Sequence, residues 1–306
     1  MTVLSTAAGI AGAALAANSL GVTAWAQARW PARGRKLSTP LGPAHVLDDG
    51  AGPPVLLLHG AASSAAGMTT PLETHLDGLR RIAPDRPGAG HTPVVTGHEQ
   101  LAVQAAFIAG VLDALGVECV TVFGHSWGCA VGLRLALDHP GRVSALVLAA
   151  PASHPWNGDT SLVNRLAASP VLGHALSFIA PPLLGPFIAP RAVARGFAPS
   201  PAPADYIART GVPLSFRPAT FRANARDMAA ANRELGVQAL RYGEITCPVA
   251  IVTGEGDQVV WNRIHAKGLA EALPQADCHR VPLGGHMPHW IAPELVAGLI
   301  RRHAGG

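Results

Sequence analysis

Short runs of apolar residues alternate with helical periodicities along most of the chain. Residues 55–58 form a continuous apolar run after two prolines, which is typical of a strand buried on both faces of a parallel sheet. Similar runs predict strands at 81–84, 119–123, 143–148, 249–252 and 278–281, and the periodicity predicts helices at 101–115, 131–137, 264–273 and 295–300. Strands that alternate with helices predict an α/β fold with a mostly parallel, doubly wound sheet.

This alternation stops between residues 151 and 246. The interval is rich in Leu, Ile, Phe, Pro and Ala and is helical in patches at 162–166 and 221–235. We interpret it as an inserted helical cap over the C-terminal edge of the sheet, where open α/β folds bind ligands. Its apolar side chains are expected to line an apolar pocket. Residues 37–150 and 247–306 then form the core.

Residues 1–36 form an apolar N-terminal segment that has no charged side chain before Arg29. A helix over residues 3–28 is long enough to cross a bilayer. Three interpretations remain open. The segment is a membrane anchor, with the following cations holding the domain in the cytoplasm. Alternatively, it is a signal peptide that is cleaved on export, which the small residues Ala24, Ala26 and Ala28 favour, or a helix lying on the protein surface.

Composition narrows the class of protein. Of the 306 residues, 49% are hydrophobic and 14% are charged, so the chain can bury a sizeable core and intrinsic disorder is excluded. The net charge of +4 is scattered, which does not favour a nucleic-acid partner. The four cysteines have no C-x-x-C spacing, and phosphate-loop and dinucleotide motifs do not occur. We therefore expect no metal and no cofactor; the oligomeric state stays open.

The segment 124–128, Gly-His-Ser-Trp-Gly, is a G-x-S-x-G motif. It follows a predicted strand and opens a predicted helix, which is the context that this motif requires. A serine at such a sharp turn has a strained backbone, so the residues two positions away must be small. Ser126 is therefore a candidate nucleophile.

A serine hydroxyl is a weak nucleophile at neutral pH, so it needs an imidazole to take its proton and a carboxylate to orient that imidazole. Asp257 lies on a Gly-rich loop after a predicted strand, and His286 follows the last strand. Glu255 and His289 are the neighbouring alternatives. The spacing favours Asp257 over Glu255, and His286 is favoured because His289 follows a proline at the start of the last helix. Asp85 precedes the serine motif, and we interpret residues 85–90 as a structural turn.

The order Ser, Asp, His and five matching segments resemble the α/β-hydrolase superfamily. The segments are 57–60, 85–90, 124–128, 254–257 and 285–287. The resemblance is to the capped serine hydrolases, which include esterases, carbon–carbon bond hydrolases and haloperoxidase-like enzymes. It implies Ser126 as nucleophile, His286 as general base and Asp257 as its orienting group. It also implies an oxyanion hole formed by the backbone N–H groups of Ala61 and Trp127.

The resemblance implies a hydrolase that cleaves a small, fairly apolar ester or related carbonyl substrate through an acyl-enzyme. Carbon–carbon bond hydrolysis and cofactor-free perhydrolysis use the same three residues and stay open. Dehalogenase and epoxide hydrolase branches use Asp where this chain has Ser126, which argues against those activities. A non-catalytic ligand-binding protein on the same fold is the alternative from a different class.

Overall fold

A computed structural model of the chain describes residues 3–158 and 161–305, with residues 3–12 described by their backbone only. Positions 1, 2, 159, 160 and 306 of the segments delimited above lie outside the described residues. Within the described residues, eight strands form one sheet in the order β1-β2-β4-β3-β5-β6-β7-β8. They are β1 (Arg35–Thr39), β2 (Gly42–Asp49), β3 (Pro54–Leu58), β4 (Arg80–Pro84), β5 (Val120–His125), β6 (Val143–Ala149), β7 (Val249–Gly254) and β8 (Asp277–Val281).

The described α-helices lie before, between and after these strands. They are α1 (Val3–Arg29), α2 (Ala65–Thr69), α3 (Leu101–Ala114), α4 (Trp127–Asp138), α5 (Leu162–Ala168), α6 (Leu172–Phe197), α7 (Tyr206–Thr210), α8 (Pro218–Ala239), α9 (His265–Ala272), α10 (Pro288–Ile291) and α11 (Pro293–Ala304). Strands β3 to β8 pair in parallel, whereas β1 with β2 and β2 with β4 pair antiparallel. The mostly parallel α/β sheet expected from the alternation is therefore confirmed.

Alternate residues of the central strands fill two separate cores, one on each face of the sheet. On β3, Leu56 and Leu58 join the cluster that packs against α3 and α4, whereas Val55 and Leu57 join the cluster that includes α11. All four side chains are fully buried. Burial on both faces explains why these strands are uninterrupted apolar runs rather than alternating ones.

The helices α5 to α8 are inserted between β6 and β7, and α6 departs from the expected lining of an apolar pocket. Apart from Phe197 at its last position, its buried residues are Gly, Ser, Pro and Ala, whereas most of its large apolar side chains are exposed. The expectation that the Leu, Ile and Phe of this insertion line a pocket is therefore wrong for most of α6. The physical reason is that the close contacts of α6 with α5, α8 and the turn Val212–Phe216 have room only for small side chains.

The N-terminal helix α1 packs along the insertion. It contacts α6 and the turn Val212–Phe216, and Trp30 just beyond its end donates from Nε1 to the carbonyl of Ala208 at 2.7 Å. Of the described helices, α6 is the one that is long and apolar enough to cross a membrane. The most apolar 18-residue stretch of α6 has a mean hydropathy of 1.4, and a third of that stretch is buried. Length and composition alone do not separate such a helix from one that covers a domain.

Candidate active site

Ser126 occupies the turn between β5 and α4. Its backbone has φ 52° and ψ −117°, in a region that residues with a side chain rarely adopt, at a cost of about 1–3 kcal/mol. Three backbone hydrogen bonds fix this conformation: its N–H donates to the carbonyl of Ala149, and its carbonyl accepts from Cys129 and Ala152. The turn holds the hydroxyl at the carboxyl end of a central strand.

The two glycines of the motif are required by close contacts. A Cβ at Gly128 would lie 2.1 Å from the carbonyl oxygen of Leu58, and a Cβ at Gly124 would lie 2.9 Å from backbone atoms of Cys129. Neither neighbour is a flexible side chain that could move away. The motif therefore reflects packing of the turn against β3 and α4.

Asp257 and His286 are joined by a hydrogen bond in which His286 Nδ1 lies 2.9 Å from Asp257 Oδ2. The other carboxylate oxygen accepts from the backbone N–H groups of Val259 and Val260 at 2.8 and 3.0 Å. Both residues are buried. Because the carboxylate accepts from Nδ1–H, the lone pair of the neutral imidazole is on Nε2, the atom that a general base needs.

His125, the residue before Ser126, contacts His286. The ring of His286 packs against that of His125 with 4.9 Å between centroids, and His125 Nε2 donates to the backbone carbonyl of His286 at 2.8 Å. No hydrogen bond joins Ser126 Oγ to the imidazole of His286 within the described residues. Hydrogen bonds between catalytic groups are often long before substrate binds and shorten in the complex.

The loop after β3 lies against the serine turn. A Cβ at Gly60 would be 3.1 Å from both Ser126 Cβ and His125 Nδ1, so a side chain here would push these neighbours away by a few tenths of an ångström. The N–H groups of Ala61 and Trp127 donate to no acceptor in residues 3–158 and 161–305. They are therefore available to an oxyanion at this turn.

The side chain of Arg86 fixes the loop after β3, a role that no sequence motif indicated. Its guanidinium donates to the carbonyls of His59 and Gly60 at 2.9 and 3.0 Å and to Asp227 Oδ2 at 3.0 Å. Its backbone N–H donates to His59 Nε2. Because these carbonyls point toward Arg86, the loop's orientation is fixed by a buried charged group from the turn after β4.

Asn224 of α8 also contacts the loop. Its Oδ1 accepts the N–H of Ala62 at 2.7 Å, and Ala62 has a positive φ of 51°. This hydrogen bond ties the inserted helices to the candidate oxyanion loop. The two residues are 162 positions apart, and no local motif marks either of them.

Two further histidines surround the site and are held neutral. Burial keeps the pKa of His125 well below its ordinary value, and burial lowers the pKa of His289 to about 3. The ring of His289 packs on those of His125 and Phe123, with 4.5 and 5.9 Å between centroids. His289 therefore packs beneath the site, whereas His286 contacts the carboxylate.

Asp85 has a structural environment. Its carboxylate accepts from the N–H groups of Ala65 and His91 and contacts His45 Nδ1. Hydrogen bonds to the charged form and the neighbouring histidines lower its pKa despite burial. A Cβ at Gly90 would lie 2.0 Å from this carboxyl group, so the group closes the turn. The alternative acid Glu255 is exposed to solvent.

Within the described residues, no group of three or more His, Cys, Asp or Glu side chains is placed to hold a metal ion. The site consists of a hydroxyl, an imidazole with its carboxylate, and backbone donors. That set can carry out nucleophilic acyl transfer without a cofactor.

The sequence profile of the alpha/beta hydrolase fold family matches residues 53–293. The chain belongs to this family. An α/β hydrolase of Variovorax paradoxus (strain S110), named "Putative carbamate hydrolase RutD", is 32% identical over 241 residues, covering 77% of this chain and 85% of the relative. The 2-hydroxy-6-oxo-6-phenylhexa-2,4-dienoate hydrolase of Comamonas testosteroni is 34% identical over 139 residues, covering 41% of this chain and 48% of the relative.

Among solved structures of α/β hydrolases, a thermophilic esterase from Thermogutta terrifontis superposes with a TM-score of 0.72 at 24% identity. The match covers 89% of this chain and 97% of the esterase. At this identity the likeness shows the fold alone. These family members are hydrolases that act on different bonds, so the family fixes the class of enzyme and leaves the substrate to be argued from the site.

Proposed function

We propose that this α/β hydrolase is a serine hydrolase that cleaves a small, fairly apolar ester through an acyl-enzyme. The observation that carries the proposal is the buried hydrogen bond between Asp257 and His286, beside the strained turn that presents Ser126. A carboxylate that fixes the tautomer of an imidazole is what activation of a serine hydroxyl requires.

In the proposed reaction Ser126 Oγ attacks the ester carbonyl carbon while His286 Nε2 takes the hydroxyl proton. The carbonyl oxygen becomes an oxyanion that accepts from the N–H groups of Ala61 and Trp127. Collapse of this intermediate breaks the bond to the alkoxy group, which leaves as an alcohol with the proton from His286. A water molecule then attacks the acyl-enzyme by the same route and releases the acid.

An aromatic cluster beside His286 supports an apolar substrate. Phe197, Tyr206 and Met287 are buried together, and the indole of Trp290 packs edge-on against Tyr206 with 4.9 Å between centroids. Burial raises the pKa of Tyr206 to about 12, so its hydroxyl is neutral at physiological pH. Apolar and aromatic surroundings with few polar groups are typical of sites for small apolar ligands.

Carbon–carbon bond hydrolysis is the second candidate, and one specific observation favours it. The Comamonas testosteroni relative at 34% identity is named for cleavage of a 2-hydroxy-6-oxo-dienoate. The same serine, histidine and aspartate would serve that reaction. The two candidates differ in the compound turned over rather than in the residues used.

A panel of p-nitrophenyl esters of increasing acyl length, assayed beside 2-hydroxy-6-oxo-6-phenylhexa-2,4-dienoate, tests the proposal and separates the candidates. We expect turnover of short and medium esters and a fall in kcat of about 10³-fold or more in Ser126→Ala and in His286→Ala. Ser144→Ala, at an exposed serine of the neighbouring strand β6, is the matched control.

The double variant of Ser126 and His286 sharpens this test. If the two residues act as one unit, removing both lowers kcat by about as much as removing either. Full activity in Ser126→Ala, or losses that multiply in the double variant, would contradict the proposal. Preferential turnover of the dienoate would select the second candidate.

A further inference from the structure

Between residues 172 and 190, helix α6 presents most of its large apolar side chains to solvent and its small residues to the protein. The buried positions recur every fourth residue, and from Gly173 they include Ser177, Pro181, Gly185 and Ala189. The exposed apolar side chains are Phe178, Ile179, Leu183, Leu184, Phe187 and Ile188, and Phe187 is 70% exposed. Large apolar residues normally lie inside, so this face is inverted relative to a helix of a soluble domain.

Helix α6 cannot rotate to bury its large apolar side chains, because the contacts of its small residues leave no room for them. A Cβ at Gly173 would lie 2.2 Å from the carbonyl oxygen of Ala167, and a Cβ at Gly185 would lie 2.8 Å from the ring of Phe216. A leucine or phenylalanine could not enter either contact. The outward direction of the bulky side chains is therefore set by the packing of the helix.

Two of the three described helices that pack against α6, α1 and α5, show the same inversion. Helix α5 exposes Leu162 and Val163, with Ala167 as its buried residue. Helix α1 buries Ser19 and Ala26 and exposes Trp25. We call the exposed large apolar residues of α1, α5 and α6 the apolar cap face. Exposed large apolar residues on three adjacent helices are typical of a surface that binds a partner or a membrane.

The segments that carry this face have an excess of cations. Residues 171–190 contain no Asp, Glu, Lys or Arg. The segments 1–36 and 159–205 together carry seven cations, Arg29, Arg33, Arg35, Lys36, Arg165, Arg191 and Arg195, against two carboxylates, Asp159 and Asp205. Arg35 is ion-paired with Asp48 at 2.7 Å, so it adds little to this excess.

We propose that the apolar cap face docks on the surface of an anionic lipid bilayer, with α6 lying in the interface. Aliphatic and aromatic side chains enter the boundary between headgroups and acyl chains, and the cations meet the negative surface potential. Because α6 is packed against α5 and α8, it lies on the membrane rather than crossing it.

The charge pattern favours a bilayer over a second copy of this chain. In a symmetric dimer the same patch faces itself, so the cations of one copy would oppose those of the other. The exposed side chains of α6 also offer few hydrogen-bonding groups, whereas a typical protein interface carries about one hydrogen bond per 100–200 Å². This docking surface is independent of the proposed catalytic function.

Vesicle co-sedimentation of the full-length protein tests the proposal. We expect binding to vesicles of phosphatidylcholine mixed with phosphatidylglycerol, weaker binding to phosphatidylcholine alone, and a loss of the difference at high salt. The double variant Phe187→Asp with Ile188→Asp should lower the partition coefficient by about tenfold or more. The matched control is Val237→Asp with Leu240→Asp, two exposed apolar residues at the end of α8.

Circular dichroism and thermal melting show whether each double variant is folded, and Phe187→Ser with Ile188→Ser provides a milder pair. The proposal is overturned if the wild-type chain binds neither vesicle, or if the Asp pair on α6 binds as well as the wild type. It is also overturned if light scattering shows a dimer that the Asp pair dissociates, since the face would then bind a second copy.

Discussion

Arg86 and Asp227 form a buried ion pair, with Nη1 and Oδ2 3.0 Å apart, that joins the turn after β4 to α8. Both side chains are almost fully buried. Asp227 also contacts His98 Nδ1 at 3.0 Å through its other oxygen. The same guanidinium that binds this carboxylate holds the carbonyls of the candidate oxyanion loop, so one cation links the inserted helices to the site.

Arg86→Gln is expected to destabilise the fold by about 3–5 kcal/mol, because it leaves the carboxylate of Asp227 buried without its cation. Urea denaturation measures this change. Asp49→Asn, which removes an exposed ion pair with Arg81, should change the unfolding free energy by about 1 kcal/mol or less. Equal effects of the two variants would show that the buried pair has no special role.

Asn224→Ala is expected to lower kcat/KM by about tenfold, because the N–H of Ala62 loses its acceptor and the loop beside it loosens. Asn232→Ala is the matched control on the same helix. Asn232 binds backbone groups at Trp156 and Gly158 instead of the loop. Steady-state kinetics on the best ester of the panel gives the comparison, and an equal fall in both variants would assign the effect to α8 in general.

Asp257→Asn is expected to lower kcat by about 10³–10⁴-fold with little loss of folding. The asparagine oxygen can still accept from the N–H groups of Val259 and Val260, but its NH₂ then faces His286 Nδ1 and favours the wrong tautomer. Glu255→Gln, two residues away and exposed, should retain wild-type kcat. If the Glu255 variant loses activity and the Asp257 variant does not, the orienting carboxylate has been misassigned.

Stability is expected to fall as the pH falls below about 6.5. Burial lowers the pKa of His59 and of His289 to about 3 and that of His265 to about 4. In this range the unfolded chain therefore binds protons that the folded chain does not. Each such histidine lowers the unfolding free energy by up to about 1.4 kcal/mol per pH unit between about pH 6.5 and its folded pKa.

The variant His289→Phe removes one of these titrating groups and so measures its share of the pH dependence. The ring of His289 already packs on Phe123, and its Nδ1 is buried without a partner among the described residues. Urea titrations at several pH values should show a slope that is shallower than that of the wild type by about 1.4 kcal/mol per pH unit. Parallel curves would mean that His289 is protonated to the same extent in both states.

The central strands could be predicted because a strand buried on both faces has to be apolar throughout. The runs at 55–58, 143–148 and 249–252 fall within β3, β6 and β7. Strands β1 and β2 were missed. They pair antiparallel at the sheet edge, and Arg35–Thr39 is largely exposed, so no apolar pattern marks them.

Helix α6 was missed for a different reason. Pro181, Pro182, Pro186 and Pro190 lie inside it, and proline in a helix interior removes a hydrogen bond and clashes with the preceding turn. Sequence rules therefore predict an irregular segment. Most of its large apolar side chains also face solvent while its small residues face the protein. Neither composition nor periodicity therefore indicates which face of the helix is buried.

The residues that carry chemistry in the proposed mechanism are marked by local motifs, whereas those that support them are not. Ser126 lies in a five-residue motif whose two glycines are required by close backbone contacts. Asp257 and His286 each lie on a Gly-rich loop that follows a strand. Arg86 and Asp227 meet across 141 positions. Such contacts depend on how the insertion folds back over the sheet, and no local pattern in the sequence marks them.

Covalent labelling with a fluorophosphonate, followed by intact-mass analysis and peptide mapping, tests the central claim about Ser126 most directly. The account predicts one adduct per chain, located on Ser126, with loss of ester turnover in proportion to labelling. It also predicts slower labelling in Asp257→Asn and none in Ser126→Ala. An adduct on another residue, or an active enzyme that remains unlabelled, would contradict the account.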